Sequence, residues 1–281
     1  MKSQAYSEAG LFRANEDIAV VKQDLGLALV IDGATPLSTN KTELELAHNN
    51  LIKFISTLAK NIVTEVSLDP SNVLQNLIKE AGRKVKQDWP LIGIDSPIYH
   101  NISPSAALAV ARLGKTKAEI CILGDCTTVV KGDNHVNVLQ TNNIRSLDDN
   151  VMKILKVRMN NGESFEEARK NVQKLLEKNR NKRNTSKGYN IADLTCHGYN
   201  KMKVFNLHNI NSIFLCTDGY EQLINMGICP NFEELNNQVL NGQGIELIDK
   251  LRDAEEKDKE CKRHIRLKSS DDASFAFLSH S

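Results

Sequence analysis

The sequence predicts an α+β fold of antiparallel strands with helices laid over them, and three observations carry this reading. Two apolar runs, residues 27–31 and 213–216, read as buried strands, because one charge inside either would be costly in a core. Both runs lead to Asp-Gly, at Asp32-Gly33 and at Asp218-Gly219. Between and around them, strand-turn-strand patterns alternate with segments whose apolar residues recur at the three-and-four spacing of amphipathic helices.

Taken in order, residues 18–21 form a strand and Asp24-Leu25-Gly26 a turn before the Leu27 strand. This hairpin brings Arg13, Glu16 and Asp17 to the end near Asp32. Asn40 and Glu43 have capping-box spacing, and Leu44, Ala47, Leu51, Phe54, Ile55, Leu58 and Ile62 mark the face of the helix that follows. Asp69-Pro70 reads as the start of a second helix with the stripe Leu74, Leu77, Ile78, Ala81 and Val85. Both helices should cover one face of a sheet. His48, in the first, has no partner at ligand spacing and reads as structural or exposed. Residues 89–101 read as a loop. Residues 103–111 are rich in small apolar side chains, as a tightly packed central strand would be.

The run Gly114-Lys115-Thr116 is not a phosphate loop, since position 109, where that motif needs glycine, is alanine. A strand at 118–123 ends on Gly124-Asp125, and 127–130 with 136–139 complete a hairpin set. Residues 146–187 differ: a short helix marked by Val151, Ile154 and Leu155, then a capping box at Ser164 and Glu167 heading a helix with a thin stripe. The basic run Lys178, Arg180, Lys182, Arg183 and Lys187 follows, of a kind that usually forms a solvated face. This segment reads as a helical excursion from the sheet. Short helices near 220–225, 232–239 and 245–261 precede a last strand, 273–278, where Asp271 and Asp272 stand before the apolar residues. That order suits an antiparallel neighbour of a strand ending in Asp. No repeat or low-complexity linker divides the chain, so residues 1–281 read as one domain.

Composition excludes several classes. Thirty-six basic against 35 acidic residues give a net charge of +1, which argues against nucleic acid and anionic membranes as partners. No apolar run approaches the roughly 20 residues that cross a bilayer, and the first residues lack the apolar stretch of a signal peptide. The six cysteines have no CxxC spacing and lie largely in apolar strands, which suits free thiols in a reducing cytoplasm.

The strand-end acids are Asp17, Asp32, Asp125, Asp218 and Asp271, with Glu16 beside the first. All offer oxygen ligands, and such hard donors favour magnesium, manganese or calcium over zinc. Clustered carboxylates in a low dielectric repel one another unless cations neutralise them. Two divalent ions about 3.5–4 Å apart would do so, clamp a phosphate and acidify a water. Arg13 adds a fork that binds phosphate oxygens in pairs.

Six motifs in this order resemble the metal-dependent type 2C protein phosphatases: Arg13 with Asn15-Glu16-Asp17; Val30-Ile31-Asp32-Gly33; Ser105-Ala106-Ala107; Leu123-Gly124-Asp125; Leu215-Cys216-Thr217-Asp218-Gly219; and Asp271-Asp272-Ala273-Ser274. The resemblance spans nearly the whole chain. It implies a four-layer α-β-β-α sandwich of two antiparallel sheets flanked by helices, and hydrolysis of phosphoserine or phosphothreonine on proteins. It implies that Asp32 bridges two Mn2+ or Mg2+ ions, that the Gly33 carbonyl is a ligand, and that Asp218 and Asp271 bind the first metal. Arg13 would hold the phosphate, Glu16 and Asp17 metal-bound waters, and Asp125 with Asp218 a third, weaker metal. Two positions depart from the pattern: Ala34 stands where eukaryotic members carry a His, and Gly124-Asp125-Cys126-Thr127 replaces Gly-Asp-Ser-Arg. The aspartyl-phosphate phosphatases do not fit, because Val30 or Cys216 stands where they need a nucleophilic Asp. A phosphoprotein-binding module without turnover and a phosphatase of small molecules are the competing readings.

Overall fold

Alternation along the strands decides which layer each side chain enters. In β3 (Leu27–Gly33), Leu27, Leu29 and Ile31 join one core cluster while Ala28 and Val30 join another. The first cluster is shared with α1 (Lys41–Leu68) and α2 (Leu74–Gln87); the second lies between two sheets. The same period of two places Asp32 on the inter-sheet face, at the strand's end. The computed structural model describes residues 1–11, 14–37, 40–89, 103–141 and 143–280.

One sheet runs β2 (Asp17–Lys22), β3, β4 (Ser105–Leu113), β5 (Lys117–Leu123) and β9 (Lys203–His208), with the short β8 (Ala192–Asp193) paired to β4. The other runs β1 (Lys2–Glu8), β11 (Ala273–Ser279), β10 (Ile210–Cys216), β6 (Thr127–Gly132) and β7 (Val136–Leu139). Every named strand pair is antiparallel. Helices α1 and α2 cover the first sheet; α5 (Asp218–Asn225), α6 (Phe232–Leu240) and α7 (Gly244–Lys257) supply the apolar residues that cover the second. The result is the expected four-layer α-β-β-α sandwich. Helices α3 (Asn143–Asn160) and α4 (Phe165–Arg180) form the excursion and share a small cluster of their own around Val151, Leu155, Ala168 and Val172.

The caps read from sequence are present at Asn40, whose side chain accepts the Glu43 N–H at 3.1 Å, and at Ser164, where both halves of the capping box form. Two expectations need correction. Asp69-Pro70 ends α1 rather than starting α2: Asp69 is the C-cap, donating its N–H to Glu65 O, and α2 begins at Leu74. Proline disfavours helical geometry at the residue before it, and Val66 extends the buried face of α1 up to that stop. The helix around Val151 is not short but spans Asn143–Asn160. Strands β1 and β9 carried no clear apolar signal because both lie at sheet edges and stay partly exposed. The loop expected at 89–101 lies, beyond Trp89, outside the described residues. Among the described residues no helix is long and apolar enough to cross a membrane.

Gly33 locks the two arms of the first hairpin together. Its N–H donates to Glu16 O at 2.8 Å, and a Cβ built on it would stand 2.4 Å from that same oxygen. Gly33→Ala should therefore separate the β2 and β3 ends at a cost of about 1–3 kcal/mol. A fall of a few degrees in the thermal midpoint is expected; an unchanged midpoint would show that the contact relaxes freely.

Candidate active site

The strand register gathers acids that are far apart in sequence. Asp17 pairs directly opposite Asp32 across the β2–β3 hairpin, and Ala107 of β4 stands opposite Asp32 on the other side. That alanine must be small: Gly124, at φ +92°, passes so close that a Cβ there would lie 2.4 Å from Ala107 Cβ. Asp125 follows at the end of β5. On the second sheet, Thr217 caps α5, so Asp218-Gly219 opens a helix rather than making a turn. Strand β11 runs antiparallel to β10, so Asp271, just before it, returns beside Asp218. Asp32, Gly33, Asp125, Asp218 and Asp271 all line one cleft of about 880 Å3. Asp17 and Glu16 are buried, Asp17 accepting a 2.8 Å hydrogen bond from Thr217 Oγ1. Arg13 lies outside the described residues.

Burial and mutual repulsion push these carboxyls upward. Asp32 rises well above the ordinary carboxylate range through burial and then through Asp218, Asp17, Asp125 and Asp271. Asp17 does likewise through burial and Asp272. Asp218 is raised to about 7 by burial, Asp271 and Asp125, and shares a hydrogen bond with Asp32. Asp125 is raised to about 6, by burial and by Asp148. Such mutual repulsion is relieved by bound cations or by protons.

Several contributors carried no sequence signal. Asp148, on α3, faces the cleft and is itself raised to about 6 by burial and by Asp218. Arg145, one helical turn earlier, donates to both oxygens of Glu221 at 2.7 Å, and to Asp125 O and Thr127 Oγ1 at 2.9 Å. A guanidinium thus reaches Thr127 from the excursion. His48 is not merely structural or exposed: Nδ1 stands 2.5 Å from Glu16 Oε1, a close approach rather than an aligned hydrogen bond, and Thr35 Oγ1 donates to Glu16 Oε2 at 2.5 Å. Asp272, which belongs to the last of the quoted motifs, accepts the N–H groups of Gly10 and Glu16, both at 2.7 Å. Lys268 Nζ donates to Asp271 Oδ1 at 2.6 Å. The contacts of His48 and Arg145 with Glu16 and Glu221 join residues 32 and 76 apart, which no local pattern encodes.

The basic run needs correction as well. Arg180 donates to the carbonyls of Ala34 and Thr35, and Arg183 to Ser103 O, each at 3.2 Å. Only Lys178 and Lys187 of the five are fully exposed. The arginines fasten the excursion to the cleft wall instead of forming a solvated face.

The donor set, oxygen throughout, fits hard divalent cations. Among the described residues, however, no three His, Cys, Asp or Glu side chains already form a group that could hold an ion. Two of the acids are engaged by protein donors, Asp17 by Thr217 and Asp271 by Lys268.

The raised carboxyls give a pH dependence of definite sign. An acid whose folded-state pKa is raised stabilises the fold below its ordinary value near 4 and withdraws that help as pH climbs through the raised value. For Asp125, Asp148 and Asp218 the window runs from about 4 to about 7. In EDTA the thermal midpoint should fall across this window, and less so in Asp218→Asn. Saturating Mn2+ should flatten the fall. A wild-type midpoint that rises steadily from pH 4 to 7 in EDTA would contradict the electrostatics described.

Comparison with known proteins places this geometry. Neither a protein-family model nor a curated protein sequence matches the chain. Solved structures do. The Mycobacterium tuberculosis serine/threonine phosphatase PstP/Ppp aligns over 99% of this chain and 99% of its own, at 14% identity and a TM-score of 0.52. The catalytic domain of PstP in complex with 2 manganese ions aligns over 99% and 97%, at 14% identity and a TM-score of 0.50. Stp1 from Staphylococcus aureus aligns over 100% and 95%, at 13% identity and a TM-score of 0.50. This chain shares the fold of the type 2C serine/threonine phosphatases.

Proposed function

We propose that this protein hydrolyses phosphoserine or phosphothreonine on proteins in a reaction that depends on manganese or magnesium. The observation that carries the reading is the convergence of Asp32, Asp125, Asp218 and Asp271 on one cleft, with Asp17 behind Asp32, in a chain of this fold. Bound there, the metals supply a nucleophilic water at neutral pH and positive charge for the phosphoryl oxygens.

The chain's own residues divide the remaining work. Asp32 feels all four other aspartates, which suits the bridging position, and the Gly33 carbonyl continues from it. Asp218 and Asp271, adjacent across β10 and β11, form one side. Asp125 together with Asp218 forms a further, weaker position, with Asp148 facing both. Glu16 and Asp17 act from behind through water. Arg13 is assigned to the phosphate because its fork pairs with two oxygens at once. The nearby Lys178 and Lys187 leave a positive fringe for a phosphoprotein.

The test uses the purified full chain with a phosphopeptide and an aryl phosphate. Activity should vanish in EDTA and return with Mn2+. Asp32→Asn should lose at least roughly a hundredfold in turnover, more than ~2.7 kcal/mol. Arg13→Ala should keep its Mn2+ affinity, raise KM and bind inorganic phosphate poorly. Activity surviving complete metal removal would refute the metal reading. Metal binding with no turnover would favour a phosphoprotein-binding module, and preference for free phosphometabolites a small-molecule phosphatase.

A further inference from the structure

Lys268 puts a fixed positive charge among the acids of the cleft. Its Nζ is 2.6 Å from Asp271 Oδ1, an oxygen that also accepts the Asp272 N–H at 3.0 Å. The side chain is about one-quarter exposed (26%) and lines the same cleft as Asp32 and Asp218, on which its charge also acts.

The position is built by its surroundings. Asp258 accepts the backbone N–H groups of Lys262, Arg263 and His264 at 2.9–3.0 Å and pairs with Arg266 at 2.8 Å, both side chains being buried. Arg266 then holds Ser269 O and Asp258 O. Residues 258–269 are therefore a braced strap, and Lys268 is delivered by it toward Asp271. Ile265 and Leu267 of the same strap pack on the excursion's cluster, and both line the cleft beside Lys268.

The ammonium and the amide N–H take both lone pairs of Asp271 Oδ1, so a divalent ion that uses this oxygen must displace the ammonium. The four-carbon stem of a lysine is flexible and this one is partly exposed, so the ammonium can swing away when a stronger cation arrives. We propose that Lys268 is a tethered cation that competes with divalent metal for Asp271 and so sets the metal concentration at which the site fills. The inference rests on the metal-dependent reading above. It makes Lys268 a positioning residue: it acts through Asp271, not on substrate.

The test reads metal binding, not activity. Titration calorimetry with Mn2+ alone compares wild type, Lys268→Met, which keeps the length without charge, and Lys268→Arg, which keeps the charge. Lys268→Met should bind Mn2+ roughly tenfold more tightly or better, since a like charge a few ångströms away is removed. Lys268→Arg should bind no more tightly than wild type. Unchanged or weaker binding by Lys268→Met overturns the proposal, and equal tightening in both variants overturns it too, because the charge would then be irrelevant. No Mn2+ binding by wild type sinks the metal reading and this inference with it. Should Lys268→Met not survive metal removal, thermal protection against Mn2+ concentration is measured from the loaded side. Half-protection at lower Mn2+ than wild type supports competition; half-protection at equal or higher Mn2+ overturns it.

Discussion

Like-charge repulsion at one end of the inter-sheet layer is the constraint to which the rest of the structure answers. Two carboxylates 4–5 Å apart repel by about 3–4 kcal/mol at the effective dielectric of a protein surface, and here Asp17, Asp32, Asp125, Asp218 and Asp271 act on one another. Asp32, Asp125, Asp218 and Asp271 stand at or beside the ends of the largely buried strands β3, β5, β10 and β11, so the sandwich supplies the burial energy that holds the acids together. Local answers add to this. Thr217 holds Asp17, Lys268 holds Asp271, and Arg145 lies over the Asp125 carbonyl. A site assembled against its own electrostatics trades stability for the capacity to bind cations.

The recurrence of Asp-Gly has a steric as well as a chemical cause. Gly33 is pressed against Glu16 O, and a Cβ on Gly219 would sit 1.9 Å from Asp272 O. At both strand ends a second acidic segment crosses so closely that only glycine fits. The dipeptide therefore marks where two carboxylate-bearing segments meet.

Much of this was legible in the residues. Leu27 to Ile31 and Ile213 to Cys216 announce buried strands because both of their faces are covered, and the stripes of α1 and α2 announce helices because one face is. The strand-end acids could be collected from their positions alone. What was not legible depends on long-range placement. His48 meets Glu16 across 32 residues and Arg145 meets Glu221 across 76; no periodicity encodes either. Edge strands β1 and β9 bury too little to show a pattern, and Pro70 was read as a start because a cap-proline pair looks alike on both sides of a break. Arginines 180 and 183 look like solvated charge in sequence, since a backbone carbonyl acceptor leaves no mark on composition.

The strap carrying Lys268 has a consequence for how the cleft behaves mechanically. Ile265 and Leu267 complete the small cluster of α3 and α4, while Arg169 of α4 donates to Leu267 O at 3.0 Å and Gln173 to Leu37 O at 3.0 Å. The excursion, the strap and the turn after Asp32 are thus joined into one frame, separate from the three larger clusters of the sandwich. Helix α4 is thus at once a wall of the cleft and the lysine's mooring, so neither is anchored independently of the other.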